Sequence, residues 1–366
     1  MLDISERQTT FPMPYADPDL MDAVLSAGFA AFPERRLNYE KYQKRDRPEI
    51  VDYLPVRLDI ENVSRCNFRC TMCQVSEWPK QQRARDMTFE EYKALLDEQI
   101  GLVEVKIQGM GEPLLAADNF IQMIEYARQR HLWVRSTVNG SLLHLKDNYK
   151  RLIDSDICEI QISIDGATKN SYEAIRHGAV FEKVTQNCEL LNTYARDIGK
   201  HRTRMWTVVQ QENIAELEML PKLAADLGFA RLSLALDLND WGQDSWRERN
   251  DPVDIHEAFG IDRALDLQET GKKHGVEVTF WFVDEKYQTN DVQKLCPWPF
   301  ERAYISSDMR VVPCCNVANP DIFELGDARE LTATWNNEKM IQFRRDHLEG
   351  RIPDICKTCY AEPVSD

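Results

Sequence analysis

Short apolar runs alternate with amphipathic helical stretches from Pro55 to about residue 285, and this alternation constrains the fold more than any other feature. The runs VRLDIENV, VEVKIQGMG, LWVRSTVNG and ICEIQISIDG have the character of buried strands, and segments such as NFIQMIEYARQR between them have helical spacing. A repeated order of strand then helix is typical of parallel strands covered by helices. About six such units predict an α/β fold with a partial (β/α)6 TIM-type barrel, although periodicity alone also fits a doubly wound sheet.

The chain divides by composition into three predicted parts: an N-terminal extension over 1–54, the partial barrel over 55–285 and a small module over 290–366. The extension mixes proline, tyrosine and charge, with one short helix predicted around Asp19 to Ala31. The last part has short β-like pieces, turn residues and a closing pair of cysteines. A module of this size has a thin core, so a bound metal cluster would contribute to its folding free energy.

Charge and hydropathy restrict the class of function. The chain has 366 residues with 45 Lys and Arg against 61 Asp and Glu, a formal net charge of −16. This balance argues against nonspecific nucleic-acid binding. No apolar run reaches about 18 residues, and the first residues lack the pattern of a signal peptide. We therefore expect a soluble cytoplasmic protein without a membrane partner.

Ten cysteines are many for a reducing compartment, where disulfides are rare. Three of them, Cys66, Cys70 and Cys73, lie within eight residues, and most of the others lie in the last 71 residues. This distribution predicts two separate thiolate sites. We expect the isolated Cys158 and Cys188 to act as small hydrophobic residues, with a hydrogen-atom donor role as the alternative.

The first group has the spacing C-x3-C-x2-C on a loop directly after the first strand of the series. Three cysteines on one loop can converge on one iron–sulfur cube and leave one iron without a protein ligand. A structural zinc ion normally takes a fourth ligand, and no Cys or His follows closely. A zinc site completed by a distant residue remains the alternative.

This loop resembles that of the radical S-adenosylmethionine (SAM) superfamily, in which it holds a [4Fe–4S] cluster whose open iron binds SAM. Further matches follow in order along the chain. The stretch 109–113 (GMGEP) resembles the family's glycine-rich motif that receives the methionine amino group, and 137–140 (TVNG) and 162–166 (ISIDG) resemble two of its strand-end elements. The matching positions imply SAM contacts from Met110, Gly111, Glu112, Asn139, Ser163 and Arg176.

These SAM contacts have simple physical reasons. Glycines let the backbone approach a ligand, and the Glu112 carboxylate can accept from an ammonium group. The Arg176 guanidinium suits the methionine carboxylate. The strand ends are also where barrel active sites lie. For Asn139, Ser163 and Asp165, the alternative is a role in ending strands and capping turns.

The second group resembles the auxiliary-cluster module called SPASM and its shortened form, twitch. Its ligands by this resemblance are Cys296, Cys314, Cys356 and Cys359, enough to complete one [4Fe–4S] cluster. We favour Cys314 over the adjacent Cys315 from the resemblance. Neighbouring side chains of a strand point to opposite faces, so both can hardly ligate one cube. A zinc ribbon is the alternative.

The resemblance implies an enzyme that uses SAM, two [4Fe–4S] clusters and an electron donor of the flavodoxin or ferredoxin type. Reductive cleavage of SAM would give a 5′-deoxyadenosyl radical that takes a hydrogen atom from the substrate. We expect an oxidoreductase acting on a carbohydrate or aminocyclitol-like small molecule, as in enzymes of the 2-deoxy-scyllo-inosamine dehydrogenase type. The alternatives are modification of a ribosomally synthesised peptide and a nonenzymatic electron-transfer or zinc-binding protein. The polar stretch 239–247 is the candidate substrate loop, and no residue is assigned as catalytic.

Overall fold

A computed structural model describes residues 17–44, 46–78, 81–236, 238–250, 259–281 and 286–361. Its centre is one ten-stranded sheet with the strand order β12-β11-β10-β1-β3-β4-β5-β7-β8-β9. The strands are β1 Arg57–Ile60, β3 Glu104–Ile107, β4 Trp133–Val138, β5 Glu159–Ser163, β7 Thr203–Val208, β8 Arg231–Ala235, β9 Glu277–Trp281, β10 Arg302–Ile305, β11 Arg310–Val312 and β12 Gly326–Asp327. Two further strands, β2 Arg69–Cys70 and β6 Arg176–His177, form a separate antiparallel pair.

Every pairing from β10 through β1 to β9 is parallel. Helices lie between successive strands of this parallel part, as the alternation predicted. The predicted α/β architecture with a partial barrel is therefore confirmed. The helices are Pro18–Ala31, Pro33–Gln43, Phe89–Glu98, Ala117–Gln129, Asn148–Asp154, Lys169–Ile175, Phe181–Asp197, Leu220–Asp226, Asp244–Asn250, Ile261–His274, Trp298–Glu301, Leu331–Thr334 and Glu338–Leu348.

Several of the parallel strands, such as β1, β3 and β5, have one apolar face and one polar face. In β3, Val105 and Ile107 are fully buried in the core, whereas Lys106 lines a cavity on the other side of the sheet. Since successive side chains of a strand point to opposite faces, the strand packs helices outside and presents polar groups inside. This inner face is where a ligand would lie.

The C-terminal residues continue the barrel's own sheet. β10 pairs in parallel with β1, with Arg302 opposite Arg57, and β11 and β12 follow as antiparallel strands. The predicted boundaries between the three parts of the chain remain predictions, and residues 282–285 lie outside the described residues.

The N-terminal residues form two helices rather than the one predicted. The first, Pro18–Ala31, packs Met21 and Val24 on Trp133 and Cys158. The second was missed because it is mostly polar, and its buried residue is Arg35, whose Nη1 donates to the Arg130 carbonyl at 2.8 Å. No helix among the described residues is long and apolar enough to cross a membrane.

Candidate active site

The loop of Cys66, Cys70 and Cys73 is held against the barrel by backbone hydrogen bonds. Cys70 pairs with Arg176 in the two-stranded sheet, and the Thr71 N–H donates to the Ile175 carbonyl at 2.9 Å. All three thiols line one cavity. Burial, with a smaller contribution from the neighbouring Cys70, raises the pKa of the Cys73 thiol to about 12. These thiols fit iron ligation, since a metal supplies the positive charge that a buried thiolate requires.

The glycines of the 109–113 motif are closely packed against the segment that leads to the cysteines. A Cβ on Gly111 would lie 2.3 Å from the Val63 carbonyl oxygen and 2.5 Å from that of Arg65. A Cβ on Gly109 would lie 2.2 Å from the Glu61 Cγ. Close packing against Val63, Arg65 and Glu61 thus requires glycine at both positions, and because both glycines also line the cavity, backbone approach to a ligand stays a prediction.

Glu112 is placed by two backbone donors. Its Oε2 accepts from the Asn139 N–H at 2.8 Å and its Oε1 from the Leu114 N–H at 3.4 Å. Burial raises the pKa of Glu112 to about 7, and these two N–H donors oppose the rise. A ligand ammonium beside it would favour the ionised form.

Asn139 connects the end of β4 to the cysteine loop. Its Nδ2 donates to the Asn67 Oδ1 at 2.9 Å, while its Oδ1 accepts from the Ser141 N–H at 3.0 Å. The side chain is thus placed by its neighbours at the wall of the cavity. This geometry agrees with the turn-capping alternative and leaves its SAM contact a prediction.

Arg176 is buried beside the cysteine loop, where its Nη2 lies 2.7 Å from the Asp165 Oδ2 and its Nη1 lies 3.9 Å from the Cys70 Sγ. Its Nε has no hydrogen-bond partner among the described residues. A buried N–H without an acceptor costs folding free energy, so the Arg176 Nε is available to donate to an acceptor on a ligand. Sequence reasoning missed the partnership with Asp165, which the two strand ends bring together.

One cavity of about 1030 Å³ joins the two groups of cysteines. The predicted SAM contacts all line it, namely Met110, Gly111, Glu112, Asn139, Ser163 and Arg176. At its other end it is lined by Cys296, Cys314, Cys315 and Cys359. A group bound between them would contact both thiol sites.

The C-terminal thiols differ in their electrostatic neighbours. Burial raises the pKa of Cys314 well above its usual value, and its neighbours Cys315, Cys356, Cys359 and Cys296 raise it further. The charged neighbours of Cys315 are instead Asp59, Lys106 and Arg302. This arrangement supports Cys314 as the ligand, and the full ligand set remains a prediction.

Two family models match the chain. The model of the radical SAM superfamily matches residues 62–224, and that of SPASM, an iron–sulfur cluster-binding domain, matches residues 296–360. Each match contains one of the two thiol groups just described. The chain contains a radical SAM domain and a SPASM domain. As a radical SAM enzyme it binds SAM and a [4Fe–4S] cluster in the first domain, and the SPASM domain binds auxiliary iron–sulfur clusters, which sets the zinc and nonenzymatic alternatives aside.

Similar proteins fall among radical SAM and SPASM proteins. The mycofactocin maturase of Mycolicibacterium smegmatis is 27% identical over 52% of this chain and 47% of its own length. The tungsten-containing aldehyde ferredoxin oxidoreductase cofactor-modifying protein of Pyrococcus furiosus is 27% identical over 47% of this chain and 48% of its own length. The chain thus spans about half the length of the curated relatives it matches. Streptococcus suis SuiB bound to the precursor peptide SuiA shares the fold, with a TM-score of 0.64 at 14% identity over 84% of this chain and 69% of SuiB.

In this radical SAM enzyme the stretch 239–247 lies between the two thiol sites. The Trp241 Nε1 donates to the Met72 carbonyl at 3.2 Å, and the Gln243 Nε2 donates to the Gln74 Oε1 at 3.3 Å. Gly242 lies against Ile355, next to Cys356. The stretch thus joins the cysteine loop to the SPASM residues. Trp241 also lines the cavity, and the role of the stretch as a substrate loop stays a prediction.

Sequence reasoning missed the polar inner face of the barrel. Asp59, Lys106 and Arg135 lie at one level on β1, β3 and β4, and all three line the cavity. The signal was present in the sequence, since charged residues recur at every second position of strands that are otherwise apolar.

Cys158 and Cys188 are fully buried among apolar groups, as expected for small hydrophobic residues.

Proposed function

We propose that this radical SAM enzyme modifies a ribosomally synthesised peptide. Support comes from relatives named as maturases and from the likeness of fold to SuiB, which was crystallised with a precursor peptide. This proposal replaces the expected carbohydrate or aminocyclitol substrate, which the relatives support less well.

The observation that carries the proposal is the single cavity that reaches from the SAM motifs to the SPASM thiols. Pockets for one drug-sized ligand have volumes of about 300–1,000 Å³. This cavity has about 1030 Å³, so it can hold SAM together with one residue of a larger substrate. The rest of a peptide would lie outside it.

The chain's own groups would position the reactants. Glu112 and Arg176 both line the cavity and suit the amino and carboxylate groups of the methionine part of SAM. When bound, the reduced cluster supplies the electron that splits SAM and starts hydrogen abstraction from the substrate. A substrate that fills the cavity would exclude water, which protects a radical from side reactions.

The test uses synthetic peptides that correspond to the short reading frames next to the gene. Each peptide is incubated anaerobically with reconstituted enzyme, SAM and a chemical reductant, and 5′-deoxyadenosine and peptide mass are measured. We expect 5′-deoxyadenosine and a changed mass for one peptide, and neither product with the variant Cys66→Ala, Cys70→Ala and Cys73→Ala. Modification of an aminocyclitol or hexose, with every peptide unchanged, would contradict the proposal and return the substrate to the carbohydrate class.

A further inference from the structure

The cavity has the opposite charge balance to the chain that surrounds it. The whole protein carries a formal charge of −16, yet six Lys and Arg side chains line the cavity against three carboxyl groups. One of those three, Glu112, has a pKa raised by burial to about 7. The wall of the cavity is therefore richer in basic side chains than the molecule as a whole, and ion pairing decides how much of that charge a ligand meets.

Most of the arginines in the lining are already neutralised by carboxylates of the protein. The Arg135 Nε lies 2.6 Å from the Glu104 Oε1, and the Arg57 Nε lies 3.2 Å from the Glu104 Oε2. The Arg302 Nη2 lies 3.0 Å from the Glu301 Oε1. These ion pairs fix the wall and leave little positive charge for a ligand.

Lys106 differs from these arginines. Its Nζ has no carboxylate within 4.0 Å among the described residues. In the sheet it lies opposite Asp59 on one side and Arg135 on the other, and Asp59 is shared with Arg302 at 3.7 Å. Burial lowers the pKa of Lys106, and the Asp59 carboxylate opposes this effect.

The position of Lys106 suits a substrate contact. It projects from the middle of β3 into the space between the predicted SAM contacts and the SPASM thiols. Cys315 is one of its electrostatic neighbours. A group held here would lie in the cavity that the predicted SAM contacts and the SPASM thiols share.

We propose that Lys106 binds a carboxylate of the substrate inside the barrel. The inference takes the peptide substrate from the proposed function. The carboxylate then belongs to an acidic side chain or to the C-terminus of the peptide. A carboxylate at this position replaces the water that a buried ammonium loses, and it forms a charge-assisted hydrogen bond.

The competing role for Lys106 is electrostatic support of the SPASM cluster. A nearby positive charge changes the reduction potential of an iron–sulfur cluster. That role predicts a changed midpoint potential after removal of the charge and no effect on carboxylate binding. The two roles therefore give different results for one variant.

The experiment compares the reconstituted enzyme with its Lys106→Gln variant, in the presence of SAM and without oxygen. Lys183→Gln is the matched control, because Lys183 is exposed on the helix Phe181–Asp197 and does not line the cavity. The probes are three N-acetylated tripeptides in calorimetric titrations: Gly-Gly-Gly acid, Gly-Gly-Gly amide and Gly-Asp-Gly amide. The first peptide has a C-terminal carboxylate and the third has a side-chain carboxylate, so the titrations show which kind of carboxylate the site prefers.

We expect one of the two carboxylate peptides to bind at least tenfold more tightly than the neutral amide, in the unmodified enzyme and in Lys183→Gln. In Lys106→Gln this preference should fall below about twofold. If Lys106→Gln does not fold, Lys106→Met keeps the side-chain length without a new polar group and should give the same loss. Equal binding of acid and amide, or an unchanged preference after removal of the ammonium, would overturn the inference.

A second pair of probes, glucuronate and glucose, separates this inference from the peptide proposal. Preference for glucuronate that depends on Lys106, with no peptide bound, would retain the carboxylate site and reject the peptide substrate. Peptide binding without preference for an acid would reject the carboxylate site and retain the peptide substrate. A shifted midpoint potential with unchanged acid preference assigns Lys106 to the SPASM cluster and also overturns the inference.

Discussion

Arg176 is the clearest case of a single residue that forms an ion pair within the protein and is also proposed to bind SAM. Arg176→Ala should raise the dissociation constant of SAM at least tenfold, because the loss of a charge-assisted bond of roughly 1.5–3 kcal/mol exceeds the 1.4 kcal/mol that corresponds to a factor of ten. It should also lower the free energy of unfolding by about 3–5 kcal/mol, since Asp165 is left buried without its partner. Equilibrium titration with SAM and urea unfolding measure the two effects.

The double variant Arg176→Ala with Asp165→Asn separates the two roles. It removes the unpaired carboxylate, so stability should recover in part while SAM binding stays weak. Recovery of SAM affinity together with stability would show that Arg176 acts only through folding.

Glu112 should make SAM binding depend on pH near neutrality. Burial raises its pKa to about 7, so the carboxyl is mostly protonated at pH 6 and mostly ionised at pH 7.5. The ionised form accepts from an ammonium, and the affinity for SAM should therefore rise by roughly five- to tenfold between these values. Calorimetric titrations at each pH measure the change. In the Glu112→Gln variant the affinity for SAM should be nearly independent of pH. An equally large rise in affinity in that variant would contradict the assignment of Glu112 as the titrating group.

Packing between elements places the predicted SAM residues, and Gly111 packs directly against the backbone that leads to the cysteine loop. Gly111→Ala introduces a Cβ within 2.5 Å of two carbonyl oxygens before the cysteine loop. We expect iron content after reconstitution to fall by roughly half. Three of the seven proposed cysteine ligands lie on that loop, and these three hold one of the two proposed clusters. The control Gly260→Ala adds a methyl where no atom lies within 4 Å and should keep its iron. Full iron content in both variants would contradict this account.

The sequence predicted the elements whose pattern is local and missed those that depend on distant partners. The helix Phe89–Glu98 begins at Thr88 with a capping box to Glu91, as its sequence indicated. The helix Lys169–Ile175 was not predicted, because it is short and its ends are set by Thr168 and the following β6. Strand-end motifs gave the candidate site, whereas the ion pair of Arg176 and the polar inner wall arise from residues far apart along the chain.

At the scale of the whole molecule, two clusters on one cavity suggest an exchange of electrons with one substrate. If the reaction is a two-electron oxidation, the SPASM cluster can accept the second electron. Cys356→Ala with Cys359→Ala should then lower iron from roughly eight to roughly four per chain and leave 5′-deoxyadenosine formation measurable. Oxidised product should be absent by mass spectrometry.

Circular dichroism of the same double variant provides the control, because a cluster can also stabilise a fold. Loss of fold together with loss of both products would assign the cluster a structural role. A folded variant that still forms full product would contradict electron acceptance.

The pairing of β1 with β10 also sets the order in which the nascent chain can fold. β1 ends at Ile60 and β10 begins at Arg302. One edge of β1 therefore stays unpaired until some 240 further residues have been synthesised. At about 5–20 residues per second this takes roughly 12–50 s. During that time an apolar strand edge is exposed on the ribosome, and such edges template aggregation. Production of this protein should therefore depend on chaperones and on slow growth more than on the final stability of the fold.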